Sequence, residues 1–141
     1  QDENYWSHSI NSPIYNAWSG FAFEMLCLNH VPQIKAALKI EGVQTSVYCW
    51  RTPAQAERGA QIDLLIDRAD HCVNLCEMKF CRGKYTITKA EREKIENRMQ
   101  SFIAYSKTKS SIRLTMITSF GVEKNTNSGI IQNELTLEDL F

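Results

Sequence analysis

The segment from residue 61 to residue 80 constrains the fold more than any other. It holds two apolar runs, QIDLLID (61–67) and CVNLCEMKF (72–80), separated by Arg68, Ala69, Asp70 and His71. A linker this short has no room for a crossover helix, so the runs pair as an antiparallel hairpin. With the turn centred on Asp70, paired residue numbers sum to 140, which sets Asp63 opposite Glu77. Side chains alternate across a strand, so Gln61, Asp63, Leu65 and Asp67 share one face, and Val73, Leu75, Glu77 and Lys79 share one. Asp63, Glu77 and Lys79 are thereby gathered on one surface. A slip of one residue would send the charges of one arm to the other side.

The flanking sequence supplies helices. Residues 1–14 are polar, with Asn-Ser-Pro at 11–13, and read as a lead-in arm. From Tyr15 to Ile40, Trp18, Phe21, Met25 and Leu28, then Ile34 and Leu38, recur at spacings of three and four, the pattern of an amphipathic helix. Pro32 breaks or kinks it, and Gly42 ends it. QTSVYCWRT (44–52) alternates as a strand, and a polar turn covers 53–59. Beyond a turn at Gly83, a helix is expected from Thr88 to Tyr105, with Ile95, Met99, Phe102 and Ile103 on one face and most basic residues on the other. Thr88 is its N-cap and Glu91 the capping-box partner. SIRLTMITSF (111–120) is a strand, 121–129 a loop, and IIQNELTLEDLF a short strand with a terminal turn. Helix, three strands, helix, strand is an α/β order.

With 141 residues, 43% of them hydrophobic, and no low-complexity tract, the chain forms one domain, 1–141. No apolar run nears the roughly 20 residues of a membrane span, and no signal-peptide pattern is present, so no membrane partner is expected. The chain opens at Gln1, and a fragment of a longer protein is the expectation. Five cysteines, an odd number set in apolar segments, suit buried thiols in the reducing cytoplasm. His71, Cys72, Cys76 and Cys81 lack the paired CxxC spacing of a structural zinc site. Net charge is zero, which argues against indiscriminate binding of polyanions. Residues 80–113 nevertheless hold nine Lys or Arg against three acids, a surplus of six balanced by the rest of the chain. Such asymmetry suits phosphate contact, and a solvated helix face produces it too.

Two carboxylates on adjacent strands repel unless a cation lies between them, and hard oxygen ligands suit Mg²⁺ or Mn²⁺. A lysine beside them adds a charge that can orient an attacking water or stabilise a phosphate in the transition state. Asp63 with Glu77 and Lys79 is in outline a phosphodiester-hydrolysing site. On spacing alone, a salt bridge from Lys79 to either acid accounts for the same residues equally well.

GAQIDLLID (59–67) followed by CEMKF (76–80) resembles the PD-(D/E)xK nuclease superfamily, whose restriction-endonuclease-like core runs αβββαβ around a mixed central sheet flanked by helices. WSGFAFE (18–24), GAQIDLLIDRAD (59–70), CEMKF, YTITK (85–89) and LTLEDLF at the end are similar to the C-terminal domain of uncharacterised bacterial AAA-type ATPases, the DUF234-like group. The resemblance implies a metal-dependent nuclease acting on DNA, attached to its own N-terminal ATPase region. It makes Asp63 the motif aspartate, Glu77 its second acid and Lys79 its lysine. It further implies that the Met78 backbone carbonyl and Glu24 join Asp63 and Glu77 as ligands of Mg²⁺ or Mn²⁺. The residue before Asp63 is Ile62 where the motif has proline.

Glu24 sits among Phe21, Phe23, Met25 and Leu26; an exposed position on the polar helix face is the alternative to the site. Gln61 could bind water or phosphate, or hydrogen-bond within the sheet. Lys84, Lys89 and Arg92 are candidate contacts to a nucleic-acid backbone, with solvation as the alternative. Tyr85 either stacks on a base or closes over the core. A catalytically silent accessory domain that binds nucleic acid or docks on its ATPase is the competing function, and oligomerisation through the apolar C-terminal strand a third.

Overall fold

The computed structural model describes residues 13–56 and 59–141; the lead-in segment 1–12, with Trp6 and His8, lies outside the described residues. Thr45–Arg51 (β1), Gln61–Arg68 (β2) and Cys72–Lys79 (β3) form the antiparallel half of a five-stranded sheet. Ser111–Thr118 (β4) and Asn133–Thr136 (β5) extend it in parallel, giving the spatial order β1-β2-β3-β4-β5. Pro13–Leu28 (α1) and Val31–Ala37 (α2) precede the sheet, and Lys89–Ser106 (α3) links β3 to β4. The β3–β4 connection contains a whole helix, which is what a parallel pairing requires. A mixed sheet flanked by helices is the expected α/β class.

The strands divide two hydrophobic cores between them. Leu64, Ile66, Cys76, Met78 and Ile117 pack with Phe23 and Cys27 of α1 and Ile34 of α2. Leu65, Val73, Leu75, Leu114 and Met116 pack with Ile95 and Phe102 of α3. Strand β3, central and covered on both sides, is buried at every residue from Val73 to Met78. That explains its nearly continuous apolar run. The apolar tail residues Leu135 and Leu140 are buried in the chain's own first core, while Phe141 at the end of the tail is exposed.

The hairpin register is the expected one: from Arg68↔Cys72 to Leu64↔Cys76, every pair sums to 140. Strict alternation in β2 is not observed. On the other edge, β1 advances from Tyr48 to Trp50 while β2 goes from Leu65 to Ile62, so β2 carries one extra residue in a bulge. Across it, Ile62 joins the core of Leu65 while Leu64 stays in the other. Bulges commonly re-aim side chains beside functional sites, and this one falls at Asp63 and Leu64.

The helices also depart from expectation in detail. The first starts at Pro13, whose fixed φ suits a first turn, and breaks at Asn29–His30, with Pro32 in the first turn of α2. The helical region closes at Lys39, which takes the left-handed conformation with φ of 61°, rather than at Gly42. In α3 the Thr88 hydroxyl accepts from the Glu91 amide as predicted. The Glu91 carboxylate does not return the bond; it accepts from the Tyr85 hydroxyl at 3.3 Å. No helix among the described residues is long and apolar enough to cross a membrane.

All five cysteines are free. Cys27 and Cys76 lie in the first core, where burial pushes the Cys27 thiol up to about 12 and raises that of Cys76 as well. The thiolate is the reactive species, so both should resist alkylation. Iodoacetamide under native conditions is expected to modify exposed Cys49 first and to spare Cys27 and Cys76 until denaturant is added. Peptide mapping by mass spectrometry checks this, and equal labelling of Cys49 and Cys76 would contradict the packing.

Candidate active site

At the end of the hairpin away from its turn, β2 and β3 stop pairing after Leu64↔Cys76. Beyond that point lies a small polar cavity of about 150 Å³, lined by Glu24, Asp63, Glu77, Met78, Lys79 and Arg98, among others. Two helices and the two strands of the hairpin supply it. Residue 24 comes from α1, residues 63 and 77–79 from the hairpin, and Arg98 from α3. Gln61 also lines the cavity, and its side-chain amide donates to Asp63 Oδ1 at 2.7 Å. A larger groove of about 560 Å³ beside Phe120 and Phe141 contains one acid, Glu138, and no comparable convergence of charge.

Glu77 is buried, at 8% exposure. Such a carboxylate needs a counter-charge, and Arg98 supplies it by donating Nε to Oε2 and Nη2 to Oε1, each at 3.0 Å. Lys79 is less committed: its Nζ stands 3.9 Å from Glu91 Oε2 and its side chain is 33% exposed. Glu24 is half-buried. Burial, reinforced by the charges of Asp63 and Glu77 and opposed by Lys79, holds its carboxyl above the usual carboxylate range. Such a field favours either a proton or a cation at Glu24.

The donors suit a hard divalent ion, being carboxylate oxygens with a backbone carbonyl at Met78 nearby. They do not form a finished cage. Among the described residues, no three His, Cys, Asp or Glu side chains converge closely enough to hold a metal ion. Both oxygens of Glu77 are held in the Arg98 fork.

The cavity thus brings together Glu24, Gln61, Asp63, Glu77, Met78 and Lys79 from the candidates. It does not include Lys84, Lys89 or Arg92. Lys84 and Lys89 are exposed, and Arg92 is half-buried on α3. They follow the Glu-x-Lys strand closely in sequence, and the chain returns to the cavity at Arg98. Tyr85 closes over the second core, bridging to Val122, as its packing alternative required. The sequence reading missed Arg98. A signal for it exists: Arg98 lies three residues after Ile95 and four before Phe102, both fully buried, so it stands within the apolar stripe of α3.

No protein-family model matches the chain, and no curated protein matches it. Among solved structures, the crystal structure of AF1548, a protein of unknown function, is similar with a TM-score of 0.50 at 14% sequence identity. The match covers 82% of this chain and 64% of that one, so the chain spans less than two thirds of its neighbour's length. At this identity the likeness concerns the fold alone.

Proposed function

We propose that this chain is a metal-dependent nuclease domain that hydrolyses DNA phosphodiester bonds, and that it belongs to a longer AAA-type ATPase. One observation carries the reading: Glu24 of α1, Asp63 of β2, and Glu77 and Lys79 of β3 line the same cavity. Mg²⁺ or Mn²⁺ held there would polarise a phosphoryl oxygen and make a bound water more acidic. Asp63, Glu77, the Met78 carbonyl and Glu24 are the groups that would hold it. Lys79 lines the cavity with only a long contact to Glu91, and its ammonium can orient water and offset charge on the phosphate. Gln61 fixes the Asp63 carboxylate through its amide.

A second reading has an observation of its own. Arg98 donates to both oxygens of Glu77, so that carboxylate is already neutralised without a metal. Under it the domain is a silent accessory of its ATPase, binding nucleic acid or docking on the parent protein.

Incubation of the purified chain with duplex DNA and Mg²⁺ or Mn²⁺ separates the two. The nuclease reading expects cleavage that stops with EDTA and is abolished in Asp63→Ala. Cleavage that persists undiminished in Asp63→Ala assigns the activity elsewhere, and an inert wild-type chain favours the accessory role. The same assay on RNA tests the choice of substrate.

A further inference from the structure

Arg98 stands where two cavities meet. On one side is the acidic cavity; on the other is an open groove of about 490 Å³, lined on α3 by Lys94, Asn97, Gln100 and Ser101. Arg98 and Gln61 line both. Among the described residues no acid lines the groove, whose opposite wall includes Gly59 and Ala60. A cation with amide and hydroxyl groups on one helix face is the chemistry that recognises a phosphodiester backbone through charge and hydrogen bonds.

The Arg98 side chain is 23% exposed and that of Glu77 only 9%, so the arginine keeps access to the groove while the carboxylate does not. A divalent ion on the Glu77 oxygens would face the guanidinium at close range and repel it. The long arginine stem can turn about its own torsions without moving α3, and the groove is the cationic, sterically open space beside it. We propose that Arg98 serves as the counter-charge of Glu77 when no divalent cation is bound, exchanges places with the cation when one enters, and then binds the phosphate next to the scissile one from the groove. The exchange rests on the nuclease reading. It also turns the ion pair that favoured the silent reading into one state of a working site, and makes cation and substrate binding mutually supportive.

The test measures binding, not cleavage. Titration calorimetry with MnCl₂ is expected to show Arg98→Gln binding the ion about tenfold more tightly than the wild type, because no guanidinium competes for Glu77. With CaCl₂ present, the same variant is expected to bind a fluorescein-labelled DNA duplex about tenfold more weakly by anisotropy. Lys94→Gln should weaken duplex binding and leave Mn²⁺ affinity unchanged. Circular dichroism establishes that each variant is folded. If Arg98→Gln is not, Arg98→Lys keeps the charge without the fork and should show a smaller gain in Mn²⁺ affinity. Unchanged or weaker Mn²⁺ binding in the folded variant overturns the exchange, even if the wild type cleaves DNA. Unchanged duplex binding overturns the phosphate contact. Tighter Mn²⁺ binding beside an inert wild type supports the exchange while the nuclease reading fails.

Discussion

Replacing Lys79 with Met is expected to slow Mg²⁺-dependent DNA cleavage about a hundred- to a thousand-fold, the usual effect of removing one preorganised group that stabilises developing charge. The side chain lines the cavity with the three acids, yet its own contact, with Glu91 at 3.9 Å, is long and about a third exposed at both partners. Such a pair contributes about 0–1 kcal/mol to stability, so the variant should melt close to the wild type. Lys79 is no ligand, and Mn²⁺ uptake by calorimetry should persist. Loss of turnover with retained fold and retained metal binding would separate a catalytic lysine from a structural one. A Lys79→Met protein that cleaves at the wild-type rate would remove Lys79 from the chemistry and leave it as a partner of Glu91.

What the sequence revealed about this site follows from how local each determinant is. The register of β2 and β3 was legible because a four-residue linker leaves few ways to pair two strands, and Leu64↔Cys76 bears it out. The pairing ends there, one residue short of Asp63 and Glu77, and these two line one cavity with Lys79 beyond it. Glu24 was legible through resemblance alone, since the residues around it also suit a helix surface. The bulge between Ile62 and Leu65 was not legible. It arises in the pairing with β1, and no residue inside β2 marks it. Arg98 was hidden differently. Its charge placed it with the solvated face of α3, whereas its spacing from Ile95 and Phe102 places it on the buried one. The buried acid that compensates for it lies 21 residues earlier, on another element. Lys84, Lys89 and Arg92 do not line the cavity, and their candidacy as backbone contacts rests on the sequence alone.

The same helix offers a test of how the site is supported. Phe102 and Ile103 were expected on one apolar face, but Phe102 is 1% exposed and Ile103 37%. Phe102 fills the second core with Ile95, Leu114 and Met116, and meets the edge of Trp50 with ring centroids 5.4 Å apart at 89°. Truncation there loses the buried area, the ring contact and the packing around a cavity that the sheet cannot collapse to fill, for a cost of about 3–5 kcal/mol. In a two-state melt of a domain this size, Phe102→Ala should lower Tm by roughly 10–15 °C. Ile103→Ala removes side chain that is already partly in water and should cost less than about 1 kcal/mol. Differential scanning calorimetry on the pair checks the placement, and equal shifts would show that α3 is rotated from the position described. The consequence reaches the site because Arg98 lies about one turn before Phe102 on α3. If Phe102 anchors that turn, loosening it should weaken the Arg98 fork on Glu77, so a folded Phe102→Ala protein should take up Mn²⁺ more readily than the wild type at the same temperature.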